Sequence, residues 1–554
     1  MLPRMKFEGQ PDSSRRLTLA CLLLAAFAPS CSHDKSTASD APVNVVLIVL
    51  DTLRADYVLD PEQAVASPSI DALAADGTSF THAFSHAPMT LPSHTALFSS
   101  RLPHSTGIAL NHQQLPDELP LLAEWVGERG YQTSAVISLA TLGSKKGLYG
   151  LERGFARYDI DYLGPIPAAP VTHARLIPEL QRLAAAEEPF FLFAHYSDPH
   201  LPYNVHDGSV DRRARIELDG ELIAEPTLSQ MSIVDRQFDL EPGEHVFELN
   251  SEFPFRYDAT LDFDSTQLQF LAPQEGDFVT SPRGAHTYLR MVTRWNNASQ
   301  TVQPLKSMLW LGEEPSHAEK LARYPGELEF VDRYVGELMA ELKRLELYDD
   351  SLIVLTSDHG EALGEHDYWG HSLNLYDELL HVPLVIKLPQ GHTGESKLRE
   401  LSEAIVSHVD LAPTILEVLE LPALSGQMGA SLLHQSPTER APMFAATHLP
   451  EAVAGDGSGK IGEDLISLRD AQYKLIYTRT HDRFEMYDLG EDPGELDDVF
   501  ASRGAERQEW QEQLRAAAGS LGEVDFQAVF RGATAADGQT MGALGYGGSE
   551  SDEN

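Results

Sequence analysis

The stretch that decides the fold is VNVVLIVL at residues 43–50, which is followed directly by Asp51. An apolar run of this length, rich in valine, is typical of a strand buried on both faces of a sheet. Stretches of the same kind lie at residues 133–139, 190–196, 352–356 and 382–388. Helix-like stretches lie between the strands, at residues 69–76, 119–129, 178–185 and 327–345. This alternation predicts an α/β fold in which helices flank a mostly parallel sheet.

The composition of the 554 residues is that of a globular protein, with 42% hydrophobic and 23% charged residues. This balance excludes disorder of the whole chain. The 41 Lys and Arg residues face 84 Asp and Glu residues, which gives a net charge of −43. Such an acidic surface repels phosphate backbones and therefore argues against a nucleic-acid partner. The only cysteines are Cys21 and Cys31, so the folded body has neither a disulfide framework nor a catalytic thiol.

Residues 1–30 have the features of a signal peptide. Arg15 and Arg16 precede an apolar stretch at residues 17–29, which is too short to span a bilayer. Cys31 follows small residues, as at a bacterial lipoprotein cleavage site; the alternative is a plain signal peptide with an incidental cysteine. We expect an exported protein, periplasmic or an outer-membrane lipoprotein, with a lipid anchor at Cys31 and a polar tether over residues 31–41.

The helix–strand alternation stops between residues 206 and 313. Residues 214–222 and 245–249 alternate apolar with polar side chains, and Asp219-Gly220 is a hairpin signal. We expect an inserted β-rich module that forms a compact sandwich beside the active site. The aromatic side chains expected to pack its core, rather than to stack on sugars, are those of Phe253, Phe255, Tyr257 and Trp295.

The insert divides a catalytic domain that we place at residues 42–440. Residues 441–530 contain the strand-like stretch YKLIY at 473–477 and are expected to form a small C-terminal α+β subdomain. Residues 531–554 are rich in glycine, serine and acidic residues, which predicts a flexible tail.

Polar side chains follow three of the predicted strands at the point where each strand ends. Asp51 follows the first strand, Asp358 and His359 follow the strand at 352–356, and Asp198 and His200 follow the strand at 190–196. Parallel strands bring such residues to one edge of the sheet, where ligands bind. A single Asp there is usually a helix cap. Carboxylates and imidazoles from three strand ends instead predict a site for a divalent cation.

A candidate nucleophile lies in the segment at residues 87–104. Pro92 suits the first turn of a helix and places Thr90 at or next to its N-cap. The unpaired N–H groups there attract an anion such as a phosphoryl or sulfuryl group. A bound metal would lower the pKa of the hydroxyl and make it a nucleophile. Alternatively, Thr90 only caps the helix.

The chain resembles a sulfatase-like member of the alkaline phosphatase superfamily. The motifs that carry this resemblance occur in family order at residues 44–56, 87–104, 193–203, 355–366, 406–414, 487–495 and 543–546. They cover nearly all of the chain after the signal peptide except the inserted module. The resemblance implies the alkaline-phosphatase/sulfatase fold and a metal-dependent ester hydrolase.

The chain departs from true sulfatases at the nucleophile. Sulfatases carry Cys or Ser in a Cys/Ser-x-Pro-x-Arg motif and oxidise that residue to formylglycine. The aligned residues here are Thr90, Pro92 and His94. Threonine cannot become that aldehyde because its Cβ carries a methyl group. The segment instead is similar to nucleotide pyrophosphatase/phosphodiesterases and to lipid-A phosphoethanolamine transferases, in which a metal-bound Thr is the nucleophile.

The resemblance also implies roles for particular residues. The implied metal ligands are Asp51, Thr90, Asp358 and His359, with Asp198 as a further candidate. Asn111, 21 residues after Thr90, matches the Asn that binds phosphoryl oxygens in the phosphodiesterases. His371, 13 residues after Asp358, and His200 match substrate-binding histidines of the transferases. We expect one or two zinc or calcium ions; the candidate ligands of a second ion are Asp198, His200, His371 and His448.

These roles predict an extracytoplasmic hydrolase of phosphate mono- or diesters. Thr90 would form a covalent intermediate, while His200 or His371, or water, would protonate the leaving oxygen. Three alternatives remain: a sulfuric ester hydrolase without formylglycine, a transferase of a phosphoryl-linked headgroup, and an inactive glycan-binding protein. The expected partner is a phosphorylated or sulfated small molecule, glycan or lipid headgroup.

Overall fold

A computed structural model gives the fold of most of the chain. It describes residues 42–60, 63–143, 148–160, 168–201, 203–204, 213–226, 232–262, 266–274, 277–280, 288–313, 315–434, 436, 442–448 and 463–520. The predicted signal peptide, tether, Cys31 anchor and C-terminal tail lie outside these residues. Within the described ranges, no helix combines the length and the apolar character needed to cross a membrane.

Strands and helices alternate through the first and last thirds of the chain. The strands are β1 (Asn44–Leu50), β2 (Thr78–Phe84), β3 (Gln132–Val136), β4 (Arg157–Asp159), β5 (Phe190–Tyr196), β6 (Arg215–Leu218), β7 (Glu221–Ala224), β8 (Ser232–Leu240), β9 (Gly243–Asp262), β10 (Leu268–Phe270), β11 (Phe278–Thr280), β12 (Tyr288–Asn297), β13 (Gln303–Glu313), β14 (Ser351–Thr356), β15 (Ala362–Leu363), β16 (Trp369–Gly370), β17 (His381–Lys387), β18 (Val406–Ser407), β19 (Met443–His448), β20 (Asp464–Arg469), β21 (Tyr473–Thr478) and β22 (Arg483–Asp488). The α-helices are α1 (Asp56–Leu59), α2 (Pro68–Asp76), α3 (Thr90–Ser99), α4 (Pro103–Thr106), α5 (Leu122–Gly127), α6 (Ala169–Ala184), α7 (His317–Arg344), α8 (Asp377–Leu380), α9 (Glu395–Glu400), α10 (Leu411–Val418), α11 (Phe500–Arg503) and α12 (Gln508–Ser520).

The main sheet has eight strands in the order β18-β2-β17-β14-β1-β5-β3-β4. Central strand β1 pairs in parallel with β14 on one side and β5 on the other. This arrangement confirms the expected mostly parallel α/β sheet. Strand β17 is the exception, because it runs antiparallel to both β14 and β2. Between β14 and β17 the longest helix is the four-residue α8, which is too short for the crossover that a parallel return needs.

Helices cover both faces of this sheet. Alternate side chains of β1 enter two separate hydrophobic cores, with Val45 in one core and Val46 in the other. Helices α3, α5 and α10 pack in the first core, and α2, α6 and α7 pack in the second. Helices α6 and α7 begin earlier than expected, so that Pro178 and Pro325 lie inside them. A capping box between Ser316 and Glu319 begins α7.

The inserted module is a separate antiparallel sheet made of β6 to β13. Strand β9 pairs with β6 and β12 along its first half and with β13 along its second half. Hydrogen bonds along β9 therefore join all eight strands into one sheet, and the expected sandwich stays a prediction. The rings of Phe238 and Phe247 are 5.6 Å apart although their strands do not pair, so the sheet curls around a core that includes Trp295. The side chains of Phe253, Phe255 and Tyr257 lie outside the described part of the structure.

The C-terminal segment forms the expected α+β subdomain. Strands β19 to β22 make a four-stranded antiparallel sheet, and Trp510 and Leu514 of α12 pack against it. The predicted strand at residues 473–477 is β21.

A buried ion network joins this subdomain to the catalytic domain. Lys474 of β21 is completely buried, and its Nζ lies 2.8 Å from Asp377 Oδ1 of α8 and 2.8 Å from Glu495 Oε1. Arg469 of β20 contacts the other oxygen of Asp377 at 2.8 Å. Because these charges are shielded from water, each depends on its partners.

We therefore expect Lys474→Met to destabilise the protein by about 3–5 kcal/mol, since it leaves the carboxylates of Asp377 and Glu495 in a buried site without their shared cation. Lys397→Met is the matched control, because Lys397 pairs with an exposed Glu400 and should change stability by less than ~1 kcal/mol. Urea denaturation of both variants measures the difference. Equal stability of the two variants would show that the network contributes nothing.

Candidate active site

Three candidate metal ligands meet at the carboxyl ends of two neighbouring strands. Asp51 follows β1 directly, and Asp358 and His359 lie just beyond the end of β14. Because β1 and β14 pair in parallel, their ends lie side by side. One donor atom from each of the three residues lies within 4.8 Å of the other two, and all three side chains are fully buried.

The electrostatics of these residues fit a divalent cation. Both carboxylate oxygens of Asp51, Asp358 Oδ2 and His359 Nε2 have no hydrogen-bond partner among the described residues. Burial raises the pKa of Asp51, and the neighbouring charges of Asp358 and Glu361 raise it further. Burial lowers the pKa of His359 to about 3, so the ring is neutral at pH 7. Three buried carboxylate oxygens without hydrogen-bond partners are costly, and a cation held by these oxygens and the neutral imidazole removes that cost.

Backbone groups orient the ligand atoms. The N–H groups of Thr52 and His359 donate to Asp358 Oδ1, at 3.2 Å and 2.9 Å, which leaves Oδ2 available. His359 Nδ1 lies 2.9 Å from the carbonyl oxygen of Gly360 and donates to it. The lone pair of the ring is then on Nε2, as in histidines that bind metals.

Thr90 is the first residue of α3, next to this group. The first turn of α3 contacts Asp358 twice: Ser93 Oγ donates to its carbonyl oxygen at 2.6 Å, and His94 Nδ1 is 3.8 Å from its Oδ2. Thr90 Oγ1 is buried and has no hydrogen-bond partner within the described ranges. The preceding Met89 is the N-cap, and α3 has no side-chain cap, so the capping role considered for Thr90 is absent.

Asn111 lies at the same end of α3. Its Oδ1 accepts a hydrogen bond from the N–H of Leu91 at 2.8 Å. Its Nδ2 is buried, and no described group accepts a hydrogen bond from it. The amide is thus fixed at one end while a donor remains for an oxyanion next to Thr90.

His200 and His371 lie together on another side of His359. The ring centroids of His359 and His371 are 4.6 Å apart, and those of His200 and His371 are 5.1 Å apart. His371 Nδ1 is 3.0 Å from Oε1 of the buried Glu361, a residue that the sequence analysis did not identify. His200 Nδ1 donates to the carbonyl oxygen of Leu201 at 2.6 Å. Burial lowers the pKa of His200 to about 4 and that of His371 to about 3, so both rings are neutral.

The structure does not assemble the second metal group considered from the sequence. His448 pairs with Asp464 across β19 and β20, and the Asp198 side chain hydrogen-bonds to Glu327 of α7. In the described part of the chain, neither residue joins a group of three donors within 4.8 Å.

Two buried histidines that were not predicted as ligands lie beside the metal group. His195 of β5 faces Asp51, with 3.5 Å between its Nε2 and Asp51 Oδ2, and His94 of α3 faces Asp358. A polar ring inside the apolar strand FFLFAHY was the only local signal for His195. His94 had been aligned only with the arginine of the sulfatase motif.

Comparison with known proteins agrees with this fold. The Sulfatase family model matches residues 43–421, and the model of the N-sulphoglucosamine sulphohydrolase C-terminal region matches residues 364–520. The N-acetylglucosamine-6-O-sulfatase of Bacteroides thetaiotaomicron is 23% identical over 517 residues, covering 88% of this chain and 87% of the relative. Arylsulfatase K of Homo sapiens is 23% identical over 500 residues, covering 87% of this chain and 83% of the relative.

Among solved structures, the phosphonate monoester hydrolase of Silicibacter pomeroyi superimposes with a TM-score of 0.57 at 20% identity, covering 86% of this chain and 96% of the other. This likeness agrees with the sheet order and with the helices on both faces. The Sulfatase model spans more than half of the residues, from β1 to beyond α10. The chain therefore belongs to the sulfatase family, whose enzymes use divalent metal ions.

Proposed function

We propose that the protein is an exported, metal-dependent hydrolase of phosphate mono- or diesters in which Thr90 is the nucleophile. The observation that carries the proposal is the buried hydroxyl of Thr90 at the start of α3, the helix whose Ser93 and His94 contact Asp358. No described group satisfies this hydroxyl. A buried hydroxyl without a structural partner needs an explanation, and a role as nucleophile supplies one.

The identity of the nucleophile favours phosphate over sulfate. Thr90 cannot supply the formylglycine of sulfatases, and no cysteine lies in residues 42–554. At the position of the sulfatase arginine stands His94, whose pKa is lowered by burial, so it brings no permanent positive charge. A threonine can instead form and release a phosphoester.

The residues of the chain then perform two displacements. When bound, the cation lowers the pKa of the Thr90 hydroxyl and offsets the charge of the transferring group. Thr90 Oγ1 forms a bond to phosphorus as the bond to the leaving oxygen breaks, and the proton lost by Thr90 is matched by one that the leaving oxygen gains from water. Asn111 Nδ2 and the N–H groups at the start of α3 donate to the equatorial oxygens.

Water cleaves the phosphothreonine in the second displacement. His200 donates through Nδ1 to Leu201, so its neutral ring carries the lone pair on Nε2, which has no partner within the described ranges. This nitrogen suits a base that accepts the proton of the attacking water. The sequence suggested water, His200 or His371 as the donor of a proton to the leaving oxygen, and the neutral rings favour water in that role.

A sulfuric ester hydrolase is the second candidate, because the curated relatives named above are sulfatases. The two candidates are separated by comparing kcat/KM for 4-nitrophenyl phosphate, bis(4-nitrophenyl) phosphate and 4-nitrophenyl sulfate on one metal-loaded preparation. We expect a phosphate ester to be the better substrate, and preference for the sulfate would overturn the proposal.

Thr90→Ala should lower kcat by about 10⁴-fold or more, because it removes the attacking atom. Its melting temperature should stay near that of the wild type, since Thr90 Oγ1 makes no hydrogen bond in the described part of the structure. Thr95→Ala is the matched control: its hydroxyl is also buried in α3 but donates to the Leu91 carbonyl oxygen. If both variants retain turnover, Thr90 is not the nucleophile.

Removal of the metal should both inactivate and destabilise the protein, since a ligand at 1,000 times its Kd stabilises the folded state by about 4 kcal/mol. Asp358→Asn should weaken metal binding by more than the roughly 10–100-fold typical of residues outside the coordination sphere. Asp332→Asn is the control, because Asp332 is buried but only accepts from the N–H groups of Ser69 and Ile70. Metal content measured by mass spectrometry should fall only in Asp358→Asn.

We propose that the inserted module selects the substrate, because the chain enters the module close to the candidate active site. Tyr203, just before the insert, packs on Tyr324 of α7, with 5.7 Å between ring centroids. Tyr324 in turn donates to the carbonyl oxygen of Thr52, next to Asp51. Loops at this edge of a sheet commonly choose substrates while the sheet holds the chemistry.

Replacing residues 206–313 by a short Gly/Ser linker should leave kcat/KM for small aryl phosphates within a few fold of wild type. Activity on large phosphorylated glycans or lipids should fall. Loss of small-ester activity from a folded, metal-loaded deletion variant would instead place the insert in the catalytic core.

A further inference from the structure

We propose that His94, His195 and Asp358 bind a second divalent cation, so that the active site holds two metal ions that share Asp358. The inference rests on the proposed function in one respect: the metal ion of that function, held by Asp51, Asp358 and His359, also uses Asp358. It does not use the ligands considered from the sequence for a second ion, which form no group of three donors within 4.8 Å in the described part of the chain.

The geometry of the group supports a metal site. One donor atom from each of His94, His195 and Asp358 lies within 4.8 Å of the other two, and all three side chains are fully buried. Zinc–nitrogen bonds are about 2.0–2.1 Å long, so donor atoms at the corners of a tetrahedral zinc site lie roughly 3.3 Å apart. A small contraction of the group therefore suffices to hold an ion.

The hydrogen bonds of the two rings leave one nitrogen of each available. His94 Nδ1 donates to the carbonyl oxygen of Thr90 at 2.7 Å, which places the lone pair on Nε2. His195 Nδ1 lies 2.8 Å from Ser138 Oγ, which can accept from it in the same way. Both Nε2 atoms are buried and have no hydrogen-bond partner among the described residues. Metal-binding histidines typically hold their second nitrogen in this manner.

The two candidate sites have one carboxylate in common. His359 and Asp51 belong to the first group, and His94 and His195 belong to the second, with Asp358 common to both. Pairs of ions in such centres are about 3.5–4 Å apart. A second site with two imidazoles favours zinc, cobalt or manganese over calcium, which prefers oxygen ligands alone.

Metal stoichiometry tests the proposal. Purified protein is stripped with chelator, saturated with Zn²⁺ or Co²⁺, freed of unbound metal and analysed by mass spectrometry. We expect two ions per wild-type chain and one in His195→Phe, which keeps the ring volume but removes the ligand. The matched control is His86→Phe, which should keep two ions: His86 is also a buried ring held at Nδ1 by a carbonyl oxygen, but it belongs to neither group.

A wild-type protein that saturates at one ion, or a His195→Phe variant that still binds two, overturns the inference. If His195→Phe does not fold, a Co²⁺ titration of the wild type followed by visible absorption decides, because two sites give a break at two equivalents and one site gives a break at one. One ion with full esterase activity refutes the second site but leaves the proposed function intact. Two ions without hydrolysis of any ester refutes the proposed function but supports the second site.

Discussion

The repulsion between the buried carboxylates of Asp51 and Asp358 is the constraint on which the rest of the site depends. The parallel register of β1 and β14 fixes both residues at neighbouring strand ends, where side-chain rotation alone cannot separate them widely. Water is excluded, so the charge has to be offset by a cation. The neutral ring of His359 supplies a further donor atom to the same group, and the helix that begins at Thr90 contacts Asp358 through Ser93.

The sequence was sufficient for the parts of the fold that local patterns encode. An apolar run followed by Asp51, and a second one followed by Asp358, predicted both the strands and their common edge. The direction of β17 was not predictable in this way, because an apolar strand reads the same whether it runs parallel or antiparallel. The starts of α6 and α7 were missed, because both helices continue through a proline, Pro178 in α6 and Pro325 in α7, and a proline removes a backbone hydrogen bond of a helix.

Candidate ligands were predicted where they lie within one motif. They were missed where the fold brings residues from distant motifs together. Asp358 and His359 are adjacent in the chain, so their cooperation was visible. His195 approaches Asp51 only because β5 is the other parallel neighbour of β1, where Val49 pairs with His195. Glu361 was not predicted either, because the sequence does not show that the chain turns back and places Glu361 against His371.

The ion network around Lys474 limits how the protein can be divided into exchangeable modules. A recombination boundary near residue 441, where the C-terminal subdomain begins, would take Lys474 and Glu495 from one parent and Asp377 from another. The C-terminal family model begins at residue 364, so the segment that it matches carries all three partners together. The matched segment also includes His371, so a transplanted C-terminal unit would bring this candidate site residue from the donor enzyme.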